Sequence, residues 1–201
     1  QNALRPVLIG LDFDNTIVCY DSVFERLARE QGVPPAVAAA GKTAIRDFLR
    51  TEGREPDWTM MQGEAYGSRM PEAVVYAGVG EFLCAAADAG HRMAIVSHRT
   101  LQPYLGPAFD LHAAARACWA GQEFARLVDE VHFETTAEAK AARIRALQCD
   151  VFVDDLWEFL QRPDLSSGLR KIWLDHGRES VAQDGLEQVG SWREVAAAIL
   201  T

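Results

Sequence analysis

The sequence contains few cysteines, and they form none of the patterns found in zinc or disulfide sites. The four are scattered along 201 residues without a C-x-x-C pair, at Cys19, Cys84, Cys118 and Cys149. We interpret them as small buried side chains of a reducing compartment. A disulfide miniprotein and a structural zinc module are therefore excluded as interpretations.

The sequence also lacks a long apolar run and an excess of basic residues. No segment approaches the about 20 apolar residues of a membrane helix, and residues 1–7 show no basic-then-apolar signal pattern. Lys and Arg number 20 against 29 Asp and Glu, which gives a formal net charge of −9. Nucleic acids and anionic membranes attract basic surfaces, so we expect neither as a partner. We expect a cytoplasmic monomer or homodimer.

What is present is the composition of an ordinary globular domain. Hydrophobic residues make up 49% of the chain and charged residues 24%. A chain of this length can bury about 70% of its unfolded surface and needs no covalent crosslinks. No internal repeat or low-complexity segment is visible.

Short apolar runs alternate with helical segments, which predicts an α/β fold. We predict strands over 6–13, 91–96, 130–133, 151–153 and 171–174. Helices are predicted over 22–31, 36–50, 56–69, 79–89, 111–120, 137–147 and 192–200, with Ser22 and Ser191 as N-caps. This alternation indicates a Rossmann-like parallel sheet with helices on both faces. Residues 18–77 hold helical segments without a convincing strand, so we interpret them as a helical insertion.

Polar side chains follow the predicted strands at the edge where a parallel sheet binds ligands. They are Asp12, Asp14 and Thr16 after the first strand, Ser97, His98 and Arg99 after the second, Lys140 after the third, and Asp154 and Asp155 after the fourth. Converging carboxylates repel one another unless a cation lies between them. Mg²⁺ suits oxygen ligands of this kind. A carboxylate, a lysine and hydroxyls can together carry out and stabilise phosphoryl transfer.

These residues resemble the four motifs of the haloacid dehalogenase-like (HAD) hydrolase superfamily. Asp12-Phe13-Asp14-Asn15-Thr16 is similar to its D-x-D-x-[TV] motif, and Ser97, Lys140 and Asp154-Asp155 match the other three in order. The resemblance implies a core of residues 1–18 and 78–201 and a small helical C1-type cap of residues 19–77. It also implies a Mg²⁺-dependent phosphatase, because dehalogenase members lack an acid at the position of Asp14.

The resemblance implies a role for each motif residue. Asp12 would be the nucleophile and a metal ligand, and Asp14 the general acid and base, with its backbone carbonyl on the metal. Asp154 would be an acidic metal ligand, with Asp155 as the second candidate. The phosphate-binding or substrate-binding group comprises Thr16, Ser97, His98, Arg99 and Lys140.

Several alternatives stay open at this point. The substrate is expected to be a small phosphorylated metabolite such as a sugar phosphate, with a 5′-(deoxy)nucleotide as the alternative. A mutase, a phosphonate-cleaving enzyme using Lys42, and a non-catalytic binding protein on the same scaffold are further alternatives. Trp58 and Arg69 are candidates for substrate specificity in the cap. The remaining tryptophans are interpreted as packing residues.

Overall fold

The structure is a computed structural model that describes residues 5–201. The first four residues belong to the predicted core range and to the segment searched for a signal, and they lie outside the described residues. Among residues 5–201, no helix combines the length and the apolar character needed to cross a membrane.

The chain divides into two compact units. The first runs up to Val18 and resumes over Val75–Arg99 and Glu123–Thr201. The second comprises Cys19–Val74 and Thr100–Gln122. Residues 100–122 therefore belong to the second unit, together with most of the predicted helical insertion. The role of that unit as a cap stays a prediction.

The strands and helices are numbered in chain order within the described residues. The strands are β1 (Leu8–Leu11), β2 (Val18–Cys19), β3 (Val74–Val75), β4 (Arg92–His98), β5 (Glu130–Glu134), β6 (Val151–Asp154), β7 (Arg170–Leu174) and β8 (Glu187–Val189). The helices are α1 (Asp21–Glu30), α2 (Pro35–Ala39), α3 (Lys42–Thr51), α4 (Glu55–Ala65), α5 (Val79–Asp88), α6 (Leu111–Ala120), α7 (Ala137–Leu147), α8 (Trp157–Leu160) and α9 (Trp192–Leu200). Short 3₁₀ helices span Met70–Glu72 and Ala125–Leu127.

The first unit is built on a six-stranded sheet in the order β5-β4-β1-β6-β7-β8. Every neighbouring pair in this sheet is parallel. Helices α7 and α8 contribute apolar side chains to a core cluster with Phe152 and Trp173 of the sheet. Helix α5 contacts α9 through the rings of Phe82 and Trp192, whose centroids are 5.2 Å apart. The predicted α/β fold with a parallel, Rossmann-like sheet is thus confirmed.

Glycine at position 10 allows β1 to lie close to β6 at the centre of the sheet. A Cβ atom at Gly10 would meet a ring carbon of Phe152 at 2.5 Å and the Sγ of Cys149 at 3.0 Å. Interiors are packed without spare room, so a larger residue would displace one of these neighbours. The small residue therefore leaves room for the Phe152 ring and the Cys149 side chain beside β1.

The second unit is helical and is held by its own aromatic cluster. The Phe24 ring of α1 stacks on Trp58 of α4, with centroids 5.4 Å apart. The Tyr20 ring meets Tyr66 edge to face at 4.7 Å. Amphipathic helices form a stable unit when such apolar faces are buried against one another. These rings are the hydrophobic centre of the unit.

Several local predictions were wrong. The single helix predicted over 36–50 is two helices, because Gly41 adopts a φ of +100°, which lies outside the helical region. Helix α1 begins at Asp21, so Ser22 is inside the helix and is not its N-cap. The sequence interpretation also missed the edge strand β8 and the two-residue strands β2 and β3, which pair with each other. Ser191 does cap α9, as predicted, by accepting a hydrogen bond from the Glu194 amide.

Candidate functional site

The central position of β1 determines which side chains meet at the carboxyl edge of the sheet. β1 lies between β4 and β6, and Asp12 is the first residue after it. The Asp12 amide donates a hydrogen bond to the Val153 carbonyl at 2.9 Å, which extends the pairing with β6 by one residue. Ser97 on β4 and Asp154 on β6 therefore flank Asp12 on its two sides.

Asp12, Ser97, Lys140 and Asp154 form a buried, hydrogen-bonded cluster. The Ser97 hydroxyl donates to Asp12 Oδ1 at 3.0 Å. The Lys140 ammonium donates to the same oxygen at 2.9 Å and to Asp154 Oδ2 at 2.6 Å. All four residues are at least 95% buried. Helix α7 thus delivers a cation from beside the sheet to the space between two strand-end carboxylates.

Thr16 connects the segment after β1 to the segment after β6. Its hydroxyl lies 3.0 Å from Asp12 Oδ2 and 3.1 Å from Asp155 Oδ1. It also accepts a hydrogen bond from the Asp155 amide at 3.1 Å. A hydroxyl has one proton to donate, so it can satisfy only one of the two carboxylates at a time. Thr16 therefore joins the two segments through one accepted and one donated hydrogen bond.

The charge balance of this cluster favours the binding of a cation. Asp12, Asp154 and Asp155 each offer a carboxylate oxygen within 4.8 Å of the others. Among residues 5–201, Lys140 is the cation that contacts two of them, so the three carboxylates, when all are ionised, carry two negative charges beyond that of the ammonium. One divalent ion would balance them. Oxygen ligands at this spacing are the kind that Mg²⁺ binds.

The pKa shifts in the cluster have the same physical origin. Burial, together with the charge of Asp12, raises the pKa of Asp154 above its usual value despite the opposing effect of Lys140. Burial and the charge of Asp154 also raise the pKa of Asp155. Burial acts to lower the pKa of Lys140, but the two carboxylates that it contacts outweigh burial and raise it. The ammonium therefore stays charged, and without a further cation the two acids hold protons more readily than free aspartates do.

The predicted general acid, Asp14, lies at the border of this cluster. It accepts two hydrogen bonds from Arg99, from Nε to Oδ2 at 3.2 Å and from Nη2 to Oδ1 at 2.5 Å. Arg99 was predicted among the substrate-binding residues, and in the structure this guanidinium contacts a carboxylate. His98, between Ser97 and Arg99, is exposed. The predicted site residues are thus all found at one edge of the first unit.

Residues that the sequence interpretation assigned to packing also hold the backbone of the site. The indole N–H of Trp192 donates to the Thr16 carbonyl at 3.0 Å. The indole N–H of Trp173 donates to the Asp155 carbonyl at 3.0 Å. A buried tryptophan needs an acceptor for its N–H, but nothing in the sequence identifies which carbonyl supplies it. Each is a packing residue and also a support for a site residue.

A histidine after β7 supports the turn that carries Asp14. Asn15 in that turn has a φ of +60°, which asparagine tolerates better than most residues. His176 Nε2 lies 2.9 Å from the Asn15 carbonyl oxygen, and the His176 ring stacks on Tyr76 at 3.8 Å. Nothing in the sequence shows that the residues after this strand reach the turn.

The predicted specificity residues of the second unit have partners within that unit. Trp58 is 4% exposed and lies against Phe24, as described above. Arg69 pairs with Glu30 and with Glu72. Lys42 Nζ lies 3.1 Å from the hydroxyl of Tyr66. Whether Trp58 or Arg69 contacts a substrate stays a prediction.

Comparisons with known proteins agree on the fold. No family model matches the chain, and no curated protein matches it. Among solved structures, the chain is similar to a haloacid dehalogenase-like hydrolase of Streptococcus pneumoniae, with 14% identity over 96% of this chain and 98% of that one and a TM-score of 0.63. A predicted phosphoglycolate phosphatase of Haemophilus somnus has 14% identity, coverage of 96% and 97% and a TM-score of 0.60.

A third similar structure is the HAD hydrolase YfnB of Bacillus subtilis, described as bound to magnesium. It has 10% identity, coverage of 98% and 100% and a TM-score of 0.62. Similarity at these identities concerns the course of the chain, and each alignment covers nearly the whole of both proteins. Together with the parallel sheet and its strand order, these matches show that the chain has the fold of the haloacid dehalogenase-like hydrolases.

Proposed function

We propose that the protein is a Mg²⁺-dependent phosphatase that hydrolyses a small phosphorylated metabolite through an aspartyl-phosphate at Asp12. The observation that carries the proposal is the cluster in which three buried or half-buried carboxylates face a single ammonium. Similar folds described as phosphatases support it.

Asp12, Asp154 and Asp155 would hold the metal ion, and the resemblance adds the backbone carbonyl of Asp14. The residues fit a hard divalent cation, since their oxygens converge and their negative charge exceeds that of Lys140. When bound, Mg²⁺ supplies positive charge next to the phosphoryl oxygens and screens them from the carboxylates. The similar structure from Bacillus subtilis was described with magnesium, which supports the choice of ion.

The chain's own residues supply the steps of hydrolysis. An Asp12 carboxylate oxygen attacks phosphorus, a new P–O bond forms, and the bond from phosphorus to the leaving oxygen breaks. Asp14 gives a proton to that leaving oxygen. Asp14 then takes a proton from a water molecule, whose oxygen attacks phosphorus and breaks the bond to Asp12. Inorganic phosphate leaves, and both aspartates return to their starting states.

Ser97 and Lys140 would bind the transferring phosphoryl group. Both already donate to Asp12 Oδ1, so their donors lie next to the atom to which phosphorus would become bonded. Donors placed in advance at the position of developing charge stabilise a transition state. Thr16 fits a supporting role, because its hydroxyl contacts two of the proposed metal ligands.

The proposal is tested by following phosphate release from 4-nitrophenyl phosphate with Mg²⁺ and with EDTA. We expect turnover with Mg²⁺, none with EDTA, and none for Asp12→Asn. The control is Asp129→Asn, which changes an aspartate whose carboxylate accepts from the Met93 amide at the other end of β4. Full activity of Asp12→Asn would refute the mechanism.

The substrate class is tested with a panel of sugar phosphates and 5′-nucleotides. We propose that sugar phosphates are preferred, with 5′-(deoxy)nucleotides as the alternative. A panel ranked by kcat/KM separates the two, and a protein that hydrolyses neither these compounds nor an aryl phosphate would favour a non-catalytic role.

A further inference from the structure

The pairing of Arg99 with Asp14 is closer and more buried than an ordinary surface ion pair. Both carboxylate oxygens of Asp14 accept from one guanidinium, at 3.2 and 2.5 Å. The side chain of Arg99 is 3% exposed and that of Asp14 is 18% exposed. Exposed pairs contribute little, whereas a two-point contact of this kind fixes geometry as well as charge.

The base of the Arg99 side chain is itself fixed by the sheet. Its backbone amide donates to the Glu134 carbonyl at 2.8 Å, which continues the β4–β5 pairing by one residue. A guanidinium is planar and presents its donors as a rigid fork. A carboxylate can rotate about its Cβ–Cγ bond, but two hydrogen bonds from a rigid fork hold its plane. Because its backbone is fixed by the sheet, Arg99 fixes the orientation of the Asp14 carboxylate relative to the sheet.

We propose that Arg99 is a positioning residue that holds the Asp14 carboxyl group in the orientation from which it protonates the leaving group. The two hydrogen bonds from Arg99 use two of the about four lone-pair sites of that group, so a further site is left to carry the proton. This inference rests on the proposed function, because it assigns Asp14 the proton transfer. It differs from the sequence-based expectation, in which Arg99 contacts the substrate. In the structure, the donors Nε and Nη2 are directed at Asp14. An arginine would present this same edge of its guanidinium to a phosphate, and here Asp14 occupies it.

The two roles make different predictions about the leaving group. Protonation accelerates departure of a basic leaving oxygen and has little effect on nitrophenolate, which is stable as an anion. A residue that acts through Asp14 therefore matters more as the leaving group becomes more basic. A residue that binds phosphate matters equally throughout, since every substrate carries the same phosphoryl group.

The experiment measures kcat/KM of the Arg99→Lys variant on 4-nitrophenyl phosphate, phenyl phosphate and 4-methoxyphenyl phosphate. Lysine keeps the positive charge but lacks the fork. We expect a fall of about threefold or less with 4-nitrophenyl phosphate and about tenfold or more with the other two, within the 10²–10⁴ that general acid catalysis contributes. The parameter kcat/KM reports the first transfer step, in which this leaving group departs.

Arg143→Lys is the matched control, because Arg143 pairs with Glu134 outside the carboxylate cluster and should keep the wild-type pattern. An equal fall of kcat/KM with all three substrates would overturn the inference while leaving the phosphatase proposal intact. If wild-type protein hydrolyses none of them, the proposed function fails and the inference fails with it.

Two further variants guard against misfolding of Arg99→Lys. Arg99→Gln keeps a planar N–H donor without charge. Its loss of kcat/KM should also become larger as the leaving group becomes more basic. In an Asp14→Asn background no carboxylic acid is left to position, so Arg99→Lys should lower kcat/KM by the same factor for all three substrates. A loss of kcat/KM that still grows with leaving-group basicity in that background would also overturn the inference.

Discussion

Replacing Lys140 with methionine tests the charge balance of the site in the metal-free protein. The ammonium lies 2.9 Å from Asp12 and 2.6 Å from Asp154, and all three residues are buried. Methionine has a similar length and keeps the apolar stem, but it leaves two facing carboxylates without their cation. Removing one partner of a buried ion pair costs about 3–5 kcal/mol.

For a chain of this size, 1 kcal/mol corresponds to about 2–4 °C in Tm. We therefore expect Tm to fall by about 6–20 °C for Lys140→Met. The Lys140 side chain also lies over the Phe159 ring, with Nζ 4.1 Å from its centroid. Loss of this cation–π contact lowers Tm further.

The assay is urea unfolding and thermal unfolding in EDTA at pH 7, followed by circular dichroism. Lys171→Met is the matched control, because it removes the same charge from a half-buried residue of β7 outside the cluster, and we expect it to cost less than about 1 kcal/mol. Added Mg²⁺ should recover part of the loss in Lys140→Met. A loss below about 1 kcal/mol for Lys140→Met would show that the carboxylates do not depend on this ammonium.

Three further predictions concern the same unit. The pKa of Asp154 is raised in the folded state, so the folded protein binds more protons than the unfolded chain between about pH 4 and 7. This group therefore makes the free energy of unfolding of the metal-free protein fall as pH rises through that range. In urea unfolding across this range, the free energy of unfolding should fall less with pH for Asp154→Asn than for the wild type. The same dependence on pH in both proteins would contradict the assignment to Asp154. Gly10→Ala should destabilise by about 1–3 kcal/mol through overpacking, whereas Gly168→Ala, with open space around its Cβ, should be nearly neutral. Burial raises the pKa of Cys149 to about 11, so a thiol reagent should modify exposed Cys84 first, as peptide mapping would show, and equal rates would contradict the burial.

The convergence of the candidate site residues could be predicted from the sequence, because it depends on where the parallel strands end. Each polar residue follows an apolar run, and parallel strands bring their carboxyl ends to one edge. The expectation that Asp12 and Asp154 lie close together needed only that rule, and in the structure both side chains accept hydrogen bonds from Lys140. The exact bounds of α6, α7 and α9 were also predictable, since caps and apolar spacing act locally.

Features that depend on tertiary contacts could not be predicted. The edge strand β8 is a three-residue segment with two polar side chains, and only its pairing with β7 makes it a strand. The Arg99 fork on Asp14 depends on how β4 ends beside β1. The hydrogen bonds from Trp173 and Trp192 join residues 18 and 176 positions apart, so sequence spacing carries no trace of them.

The central claim is that the Asp12 carboxylate carries the phosphoryl group during turnover. The most direct test is reductive trapping with borohydride during steady-state hydrolysis, followed by peptide mass spectrometry. An acyl phosphate is reduced to an alcohol, so the account predicts homoserine at position 12 when both Mg²⁺ and substrate are present, and unmodified aspartate when either is omitted. Trapping at a different carboxylate, or no trapping in protein that is turning over substrate, would contradict it.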